Sequence, residues 1–199
     1  MAYTGVRHFD VPDLHGVRNG LLLVSNHQSF LDPLLLGMAL EVQICYLARK
    51  SLFEVAGMGA LLWGLNTYPV RRGQVDPGAL KTILKLLRTG QRVVMFPEGT
   101  RTHDGSLGTF RPGAAAMAIR TGVPVLPVCI EGAFRCWPRT SVLPRPARVA
   151  VAYGSLMPPE GDAAALTERI RLEIAAMQRR LRLYLGYEEE TDGLLRGAA

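Results

Sequence analysis

The sequence predicts an α/β fold: one domain built on a mixed, largely parallel β-sheet flanked by helices. Three observations carry this. Short apolar runs such as Leu21 to Val24, Val93 to Phe96 and Val125 to Ile130 have the length and continuous hydrophobicity of strands buried on both faces. Segments of helical periodicity lie between them, and strands alternating with helices build a sheet with covered faces. The chain has 199 residues, 48% hydrophobic and 20% charged, enough for one continuous core and too few for two comfortable ones. Residues 1–199 are therefore read as a single domain, with a core over about 20–158 and a C-terminal amphipathic helix over about 163–185.

Each element follows from local chemistry. After a polar lead-in, Asn19-Gly20 makes a turn and Leu21 to Val24 the first buried strand. A polar turn, Ser25 to Asp32, leads to an apolar helix from Pro33 to about Leu40, with Pro33 at the first helical position and Asp32 as its N-cap. Val42 to Leu47 reads as the next strand. Phe53 to Leu65 is apolar but contains Gly57, Gly59 and Gly64, and fits a buried or membrane-facing helix. Thr67 to Val70 is a short strand. Leu80, Ile83, Leu84 and Leu87 recur at helical spacing, and Gly90 ends that helix. Ala114 to Arg120 is a short helix ending at Gly122. Arg148 to Tyr153 alternates with period two as a last strand. Ala163 to Leu185 closes the chain as a helix, with Leu166, Ile170, Ile174, Met177 and Leu181 on one stripe.

Lys and Arg outnumber Asp and Glu by 23 to 17, a formal charge of +6. That surplus suits an anionic partner: nucleic acid, phospholipid headgroups or a phosphorylated small molecule. Cys45, Cys129 and Cys136 are odd in number and lack C-x-x-C spacing, as free thiols of a reducing compartment do. Arg7, His8, Asp10 and Asp13 interrupt the opening, so no signal peptide is read there. The longest apolar-plus-Gly run, Val55 to Leu65, is eleven residues, short of the roughly 18 that a membrane span needs. Neither a secreted protein nor a polytopic membrane protein is expected.

Chemistry gathers just past two buried strands, where ligands of α/β sheets bind. In Asn26-His27-Gln28-Ser29-Phe30-Leu31-Asp32, the carboxylate of Asp32 can turn back to one imidazole nitrogen of His27 and leave the other free to accept a proton. The plainer alternative is a capping Asp beside a surface His. In Phe96-Pro97-Glu98-Gly99-Thr100-Arg101, Gly99 allows close backbone approach and Thr100 offers a hydroxyl. Arg101 can grip a phosphate bidentately, and Glu98 can hold Arg101 or bond a substrate hydroxyl. An ordinary turn with a surface Glu–Arg pair would look the same. Tyr68-Pro69-Val70-Arg71-Arg72-Gly73 adds a basic strand end, either part of a phosphate pocket or a solvated turn. No Gly-x-Ser-x-Gly elbow occurs, since Asp104-Gly105-Ser106-Leu107-Gly108 departs at its first position, so the hydroxyl for His27 to activate would come from the substrate. No H-E-x-x-H or Cys/His cluster offers a metal site.

The blocks NHQSFLD, YPVRRG, FPEGTRTHDGSLGTFRPGA and VPVLPV, in this order, resemble the glycerolipid acyltransferase family, whose best-known members are 1-acyl-sn-glycerol-3-phosphate acyltransferases. The resemblance extends from about Gly20 to Pro158. It implies the glycerol-3-phosphate acyltransferase-like fold, with His27 as the base that activates the acceptor hydroxyl and Asp32 as its aspartate. Glu98, Gly99, Thr100 and Arg101 match the acceptor-phosphate block, Arg72 the arginine of the second block with Arg71 beside it, and Val123-Pro124 a structural or acyl-site pair. Relatives often carry an N-terminal helical hairpin or membrane segment before the first strand. Here the lead-in is short, which bears on membrane attachment and not on the chemistry.

The implied reaction moves a fatty acyl group from acyl-CoA or acyl-carrier protein to the free hydroxyl of 1-acyl-sn-glycerol 3-phosphate (lysophosphatidic acid). The product is phosphatidic acid for phospholipid biosynthesis, and no cofactor or metal is needed. The implied place is cytoplasmic, peripherally on the cytoplasmic face of the inner membrane, against an anionic membrane surface. Two alternatives stay open: an acyltransferase for another lysophospholipid or a lyso-ornithine lipid, and a non-catalytic lipid-binding module. Binding alone needs no His27–Asp32 pair. No nucleic acid partner is expected, because no RNA- or DNA-binding signature occurs. Arg135, Arg139, Arg145 and Arg148, interspersed with Phe134 and Trp137, suit headgroups, coenzyme A phosphates or plain solvent. Arg169, Arg171, Arg179, Arg180 and Arg182 read first as a solvated helix face and second as membrane contacts.

Overall fold

In a computed structural model, residues 5–55, 57–70 and 77–187 are described. The polar lead-in holds strand β1 (Val6–Phe9), a half-exposed edge strand with no apolar run to announce it, followed by β2 (Leu21–Ser25). Helix α1 (Asp32–Gly37) begins one residue earlier and ends sooner than its apolar run suggests. Ile44 is buried ahead of β3 (Tyr46–Arg49) rather than inside it. The chain turns there because Cys45 pairs first with the edge of the main sheet, through Cys45 N–H to Arg92 O (2.7 Å) and Val94 N–H to Cys45 O (3.0 Å). The apolar run 53–65 divides into the end of α2 (Lys50–Phe53) and α3 (Met58–Gly64), separated by Gly57 at φ +76. Strand β4 (Thr67–Val70) pairs in parallel with β3.

Helix α4 (Pro77–Arg88) buries Ile83, Leu84, Leu86 and Leu87, and β5 (Arg92–Met95) follows. Helix α5 (Gly113–Thr121) stops at Gly122, which takes the left-handed conformation before β6 (Val125–Glu131). A single-turn helix, α6 (Ala133–Cys136), leads to β7 (Val149–Tyr153) and then to α7 (Ala163–Leu185). Asp162 caps α7 by accepting from Ala165 N–H at 2.7 Å. Strand β7 is buried at every residue instead of alternating, because neighbouring strands and covering layers enclose both of its faces.

The main sheet runs β1-β7-β6-β2-β5, parallel throughout except for the antiparallel pair β6–β7. Residue alternation divides the core into two layers. Leu22, Val24, Val93, Ala150 and Ala152 face α4, α5 and α7, whereas Leu21, Leu23, Val94, Val128 and Val151 face α1 and the segment around Leu40. Tyr153 donates its hydroxyl to Leu36 O (2.7 Å) and thereby ties α1 to β7. The parallel strands β2, β5 and β6 all finish at one end of the sheet, so the segments after Ser25, Met95 and Glu131 emerge together there.

The opposite end depends on close backbone packing. Gly20, at φ +86, admits the chain into β2 where any Cβ would run into the Leu87 carbonyl oxygen at the end of α4. Gly20→Ala is expected to cost at least about 1–3 kcal/mol through its backbone conformation alone. The melting temperature should fall by roughly 2–4 °C for each kcal/mol. An unchanged melting temperature in a thermal unfolding scan would contradict this account of the turn.

Candidate active site

The turn that leaves β2 is pinned at both ends. Asn26 extends the β2–β6 ladder with its side chain, donating Nδ2–H to Ile130 O and accepting Ile130 N–H at Oδ1, both at 2.8 Å. Five residues after His27, Asp32 is completely buried and points back into the turn instead of capping α1. The N-cap position is Leu31, with no side-chain cap, and Pro33 follows with no N–H to satisfy. Oδ2 of Asp32 accepts from His27 Nδ1 at 2.7 Å, Gln28 N–H at 2.6 Å and Ser29 N–H at 2.8 Å. Burial raises the Asp32 pKa, while the His27 ring and the two backbone donors oppose that rise. With Nδ1–H donated to the carboxylate, Nε2 of His27 is the nitrogen left to accept a proton. Phe96 stacks on the imidazole at 4.2 Å and 19°, fixing the ring plane.

The segment after β5 closes over this turn. Glu98 turns inward rather than toward Arg101: Oε1 accepts His27 N–H at 2.9 Å and Oε2 accepts Gly108 N–H at 3.2 Å. Thr102 N–H bonds His27 O at 2.8 Å, so the backbone of His27 is held on both sides by the same loop. Burial pushes the Glu98 carboxyl up to about 7, with the nearby Asp32 charge adding to the rise. A Cβ on Gly108 would lie 2.7 Å from Glu98 Oε2, so a side chain there would displace the carboxylate from this position. Asp104 accepts from the Thr102 hydroxyl and from both the backbone and side chain of Ser106, which holds its pKa down at about 2 and stiffens the loop.

A cavity of about 420 Å³ opens beside Glu98, lined by Thr100, Arg101, His103, Ser106 and Arg111 among others. Arg101 lays its guanidinium over the Phe30 ring, with Cζ 3.4 Å from the centroid. Arg111 extends alongside Gly99, its Cζ 3.5 Å from where a Cβ on Gly99 would stand, and Gly99 takes φ +72. The structure thus brings His27, Asp32, Glu98, Gly99, Thr100 and Arg101 to one end of the sheet. Arg72 lies outside the described residues. Val123 and Pro124 sit at the other end: Val123 is buried in the core and Pro124 O accepts Leu22 N–H at 3.1 Å. Among the described residues no group of three His, Cys, Asp or Glu side chains could hold a metal ion.

Several contributors carry no signal in the sequence taken alone. Asn26, Gln28, Thr102 and Gly108 act through bonds to distant segments, and only Arg111 announces itself, by its charge within the third block. The arginine-rich stretches are less solvated than their composition suggests. Arg148 reaches Leu185 O (3.3 Å), Arg135 packs over Tyr187, and Arg182 turns inward to Gly105 O (2.9 Å).

An acyltransferase family model matches residues 8–131. The chain belongs to the acyltransferase family. Relatives include a chloroplastic 1-acyl-sn-glycerol-3-phosphate acyltransferase of Brassica napus, 35% identical over 139 residues, 65% of this chain and 40% of that protein. The 1-acyl-sn-glycerol-3-phosphate acyltransferase of Bacillus subtilis is 33% identical over 57% of each chain. That of Pseudomonas aeruginosa is 32% identical over 71% of this chain and 55% of its own. This acyltransferase chain therefore spans between about two fifths and somewhat over half the length of these three relatives. The crystal structure of the 1-acyl-sn-glycerophosphate (LPA) acyltransferase PlsC from Thermotoga maritima superposes with a TM-score of 0.79 at 25% identity, covering 90% of this chain and 73% of that one. The α/β architecture is the acyltransferase fold.

Glu98 gives this acyltransferase chain a pH-dependent stability. Its folded pKa of about 7 exceeds the ordinary 4.5, so its protonation favours the folded state. That contribution is fully present below about 4.5 and is lost as pH rises through about 7. The melting temperature of the native chain relative to Glu98→Gln should therefore decline across this window. Parallel pH profiles for the two proteins in thermal scans would contradict the assignment.

Proposed function

We propose that this chain is an O-acyltransferase that moves a fatty acyl group from acyl-CoA or acyl-carrier protein to the free hydroxyl of 1-acyl-sn-glycerol 3-phosphate, forming phosphatidic acid. The observation that carries this reading is the 2.7 Å His27–Asp32 bond, set in the same end of the sheet as Arg101. Nε2 of His27 takes the acceptor's hydroxyl proton as that oxygen attacks the thioester carbonyl. The C–O bond forms, the C–S bond breaks and the thiolate leaves. The imidazolium then gives its proton to the thiolate or to water, an undemanding step because a thiol has a pKa of about 8.5. Arg101, flanked by Thr100 and Arg111, binds the acceptor's phosphate and so aligns its hydroxyl with His27. Arg72 is assigned to the same phosphate on the family motif, and Asp32 orients His27 and stabilises the imidazolium.

The acceptor is a lipid, and the segment that follows His27 presents apolar side chains. Phe30, Leu34 and Met38 are 51%, 48% and 68% exposed on the turn and helix that follow His27. On this reading they meet the surface of an anionic membrane, with Arg101 and Arg139 near the headgroups. Among the described residues no helix is long and apolar enough to cross a membrane. The attachment proposed is therefore peripheral, on the cytoplasmic face of the inner membrane, a compartment compatible with the free thiols Cys45, Cys129 and Cys136.

The test is transfer of labelled oleoyl or palmitoyl groups from coenzyme A and from carrier protein to lysophosphatidic acid, lysophosphatidylcholine, a lyso-ornithine lipid or no acceptor. Phosphatidic acid is the expected product, and His27→Ala should reduce it by roughly 10²–10⁴-fold. Product from another acceptor alone would reassign the substrate. A folded native chain inactive with every donor and acceptor would overturn the reading in favour of a lipid-binding module. Arg101→Ala should chiefly raise the acceptor KM, by about 10- to 100-fold, as loss of a charged hydrogen bond worth about 1.5–3 kcal/mol implies. An unchanged KM would remove Arg101 from the phosphate site.

A further inference from the structure

Helix α7 carries one buried polar residue among its apolar stripe, Gln178, and one turn later the half-buried Arg182. Both reach the same two acceptors, the Gly105 carbonyl and the buried Glu131 carboxylate at the end of β6. Gln178 donates to Glu131 Oε2 at 2.8 Å and faces Gly105 O at 3.4 Å. Arg182 donates to Gly105 O at 2.9 Å, with its Nε 3.4 Å from Glu131 Oε2. A third side chain, Gln28, meets the same pair at 3.3 Å and 3.1 Å, and its Oε1 accepts Phe134 N–H at 3.2 Å. Gln28 is the immediate neighbour of His27, and its own N–H is bonded to Asp32. Gly105 lies in the loop that carries Arg101 and Thr102, and a left-handed φ of +87 turns its carbonyl into this knot.

The knot therefore joins four segments: the turn bearing His27, the loop bearing Arg101, the end of β6, and a helix more than 70 residues beyond that loop in the chain. Burying Glu131 needs donors, but ordinary pairing would need no contact with the loop carbonyl as well. We propose that Gln178 and Arg182 are positioning residues for acyl transfer, clamping the loop 102–108 against the His27 turn so that the acceptor's phosphate and hydroxyl are presented in register. This rests on the acyl-transfer reading above, and it assigns a role in the reaction to a helix that carries none of the motif residues.

The experiment compares Arg182→Ala, Arg182→Lys and Gln178→Leu with Ile170→Val, a packing change in the apolar stripe of the same helix. For each protein, steady-state kinetics with lysophosphatidic acid and oleoyl-CoA are combined with amide hydrogen exchange. Arg182→Ala and Gln178→Leu should lower kcat/KM by about 10- to 100-fold, the scale of a small misplacement of substrate, with acceptor KM rising more than donor KM. Exchange should quicken at 102–108 and 27–29. Arg182→Lys should recover at least part of both losses, and Ile170→Val should shift the melting temperature only. If Arg182→Ala and Gln178→Leu lower the melting temperature but leave acceptor KM, kcat and loop exchange at the Ile170→Val values, the clamp is refuted. If the native chain transfers no acyl group at all, the acyl-transfer reading fails and the exchange comparison still decides whether α7 holds the loop.

Discussion

The Oδ2 atom of Asp32 is the point on which the site is built. A carboxylate removed from water is costly unless donors replace its hydration. Here three donors come from the seven-residue turn 26–32 itself, the His27 ring and the backbone N–H groups of Gln28 and Ser29. The bond that fixes the imidazole is thus one of the bonds that fold the turn. Loss of the carboxylate would leave two buried N–H groups without partners as well as an unoriented ring. Asp32 is itself the first residue of α1, and Pro33 after it has no N–H for the helix start to satisfy. At the other end, the Asn26 amide replaces a rung of the sheet. Between these anchors the chain has little freedom, and His27 inherits the rigidity of β2.

A second carboxylate approaches His27 from the backbone side. Asp32 binds the ring, whereas Glu98 binds the main-chain N–H and links it to Gly108 across the loop. Both are buried, and their mutual repulsion contributes to the elevated Glu98 pKa. A Glu98 that titrates near about 7 carries only part of a negative charge at neutral pH. That matters where an anionic phosphate is proposed to enter: the wall already holds the charged Asp104, and a partly neutral Glu98 opposes an anion less than a second full charge would, while Arg101 and Arg111 line the same wall. Glu98 serves the site by shaping it, and the pattern of residues in FPEGTR does not distinguish that from a direct contact with substrate.

The layers of the fold are legible because they depend on local periodicity. The stripe at Leu166, Ile170, Ile174, Met177 and Leu181 marks α7, whose ends Asp162 and Gly186 are set by capping chemistry. Strand β1 is not legible, since Val6 to Phe9 is half-exposed and pairs with β7 through a backbone ladder whose partners, such as Val6 and Val149, stand 143 positions apart. The break of 53–65 into two short helices follows from Gly57, but exposure of Leu61 and Trp63 does not follow from hydrophobicity, which favours burial or lipid equally. In the site, His27 with Asp32 is legible as a pair because a tight turn can join residues five apart. Asp32 as a helix cap is an equally local expectation, and the donors of the turn itself, at His27, Gln28 and Ser29, take the carboxylate instead. Gln28, Gly105, Glu131, Gln178 and Arg182 were beyond reach: each is unremarkable in its own segment, and their meeting is a property of the assembled sheet and helix.

Helix α1 shows how one short element serves both the fold and the proposed chemistry. Six residues are too few for a stable isolated helix, so its conformation depends on packing. Leu35 and Leu36 supply it by burial against the sheet, and Leu36 O is held by the Tyr153 hydroxyl. Leu34 on its outward side and Met38 just past its end gain nothing from that packing and leave apolar surface in contact with water, as Phe30 does within the preceding turn. A water-soluble substrate would give no reason to keep them there. An acceptor with a fatty chain does, because the hydroxyl must reach His27 while the chain stays in an apolar environment. The buried face of α1 then places the base, and its exposed face suits the phase from which the proposed acceptor comes.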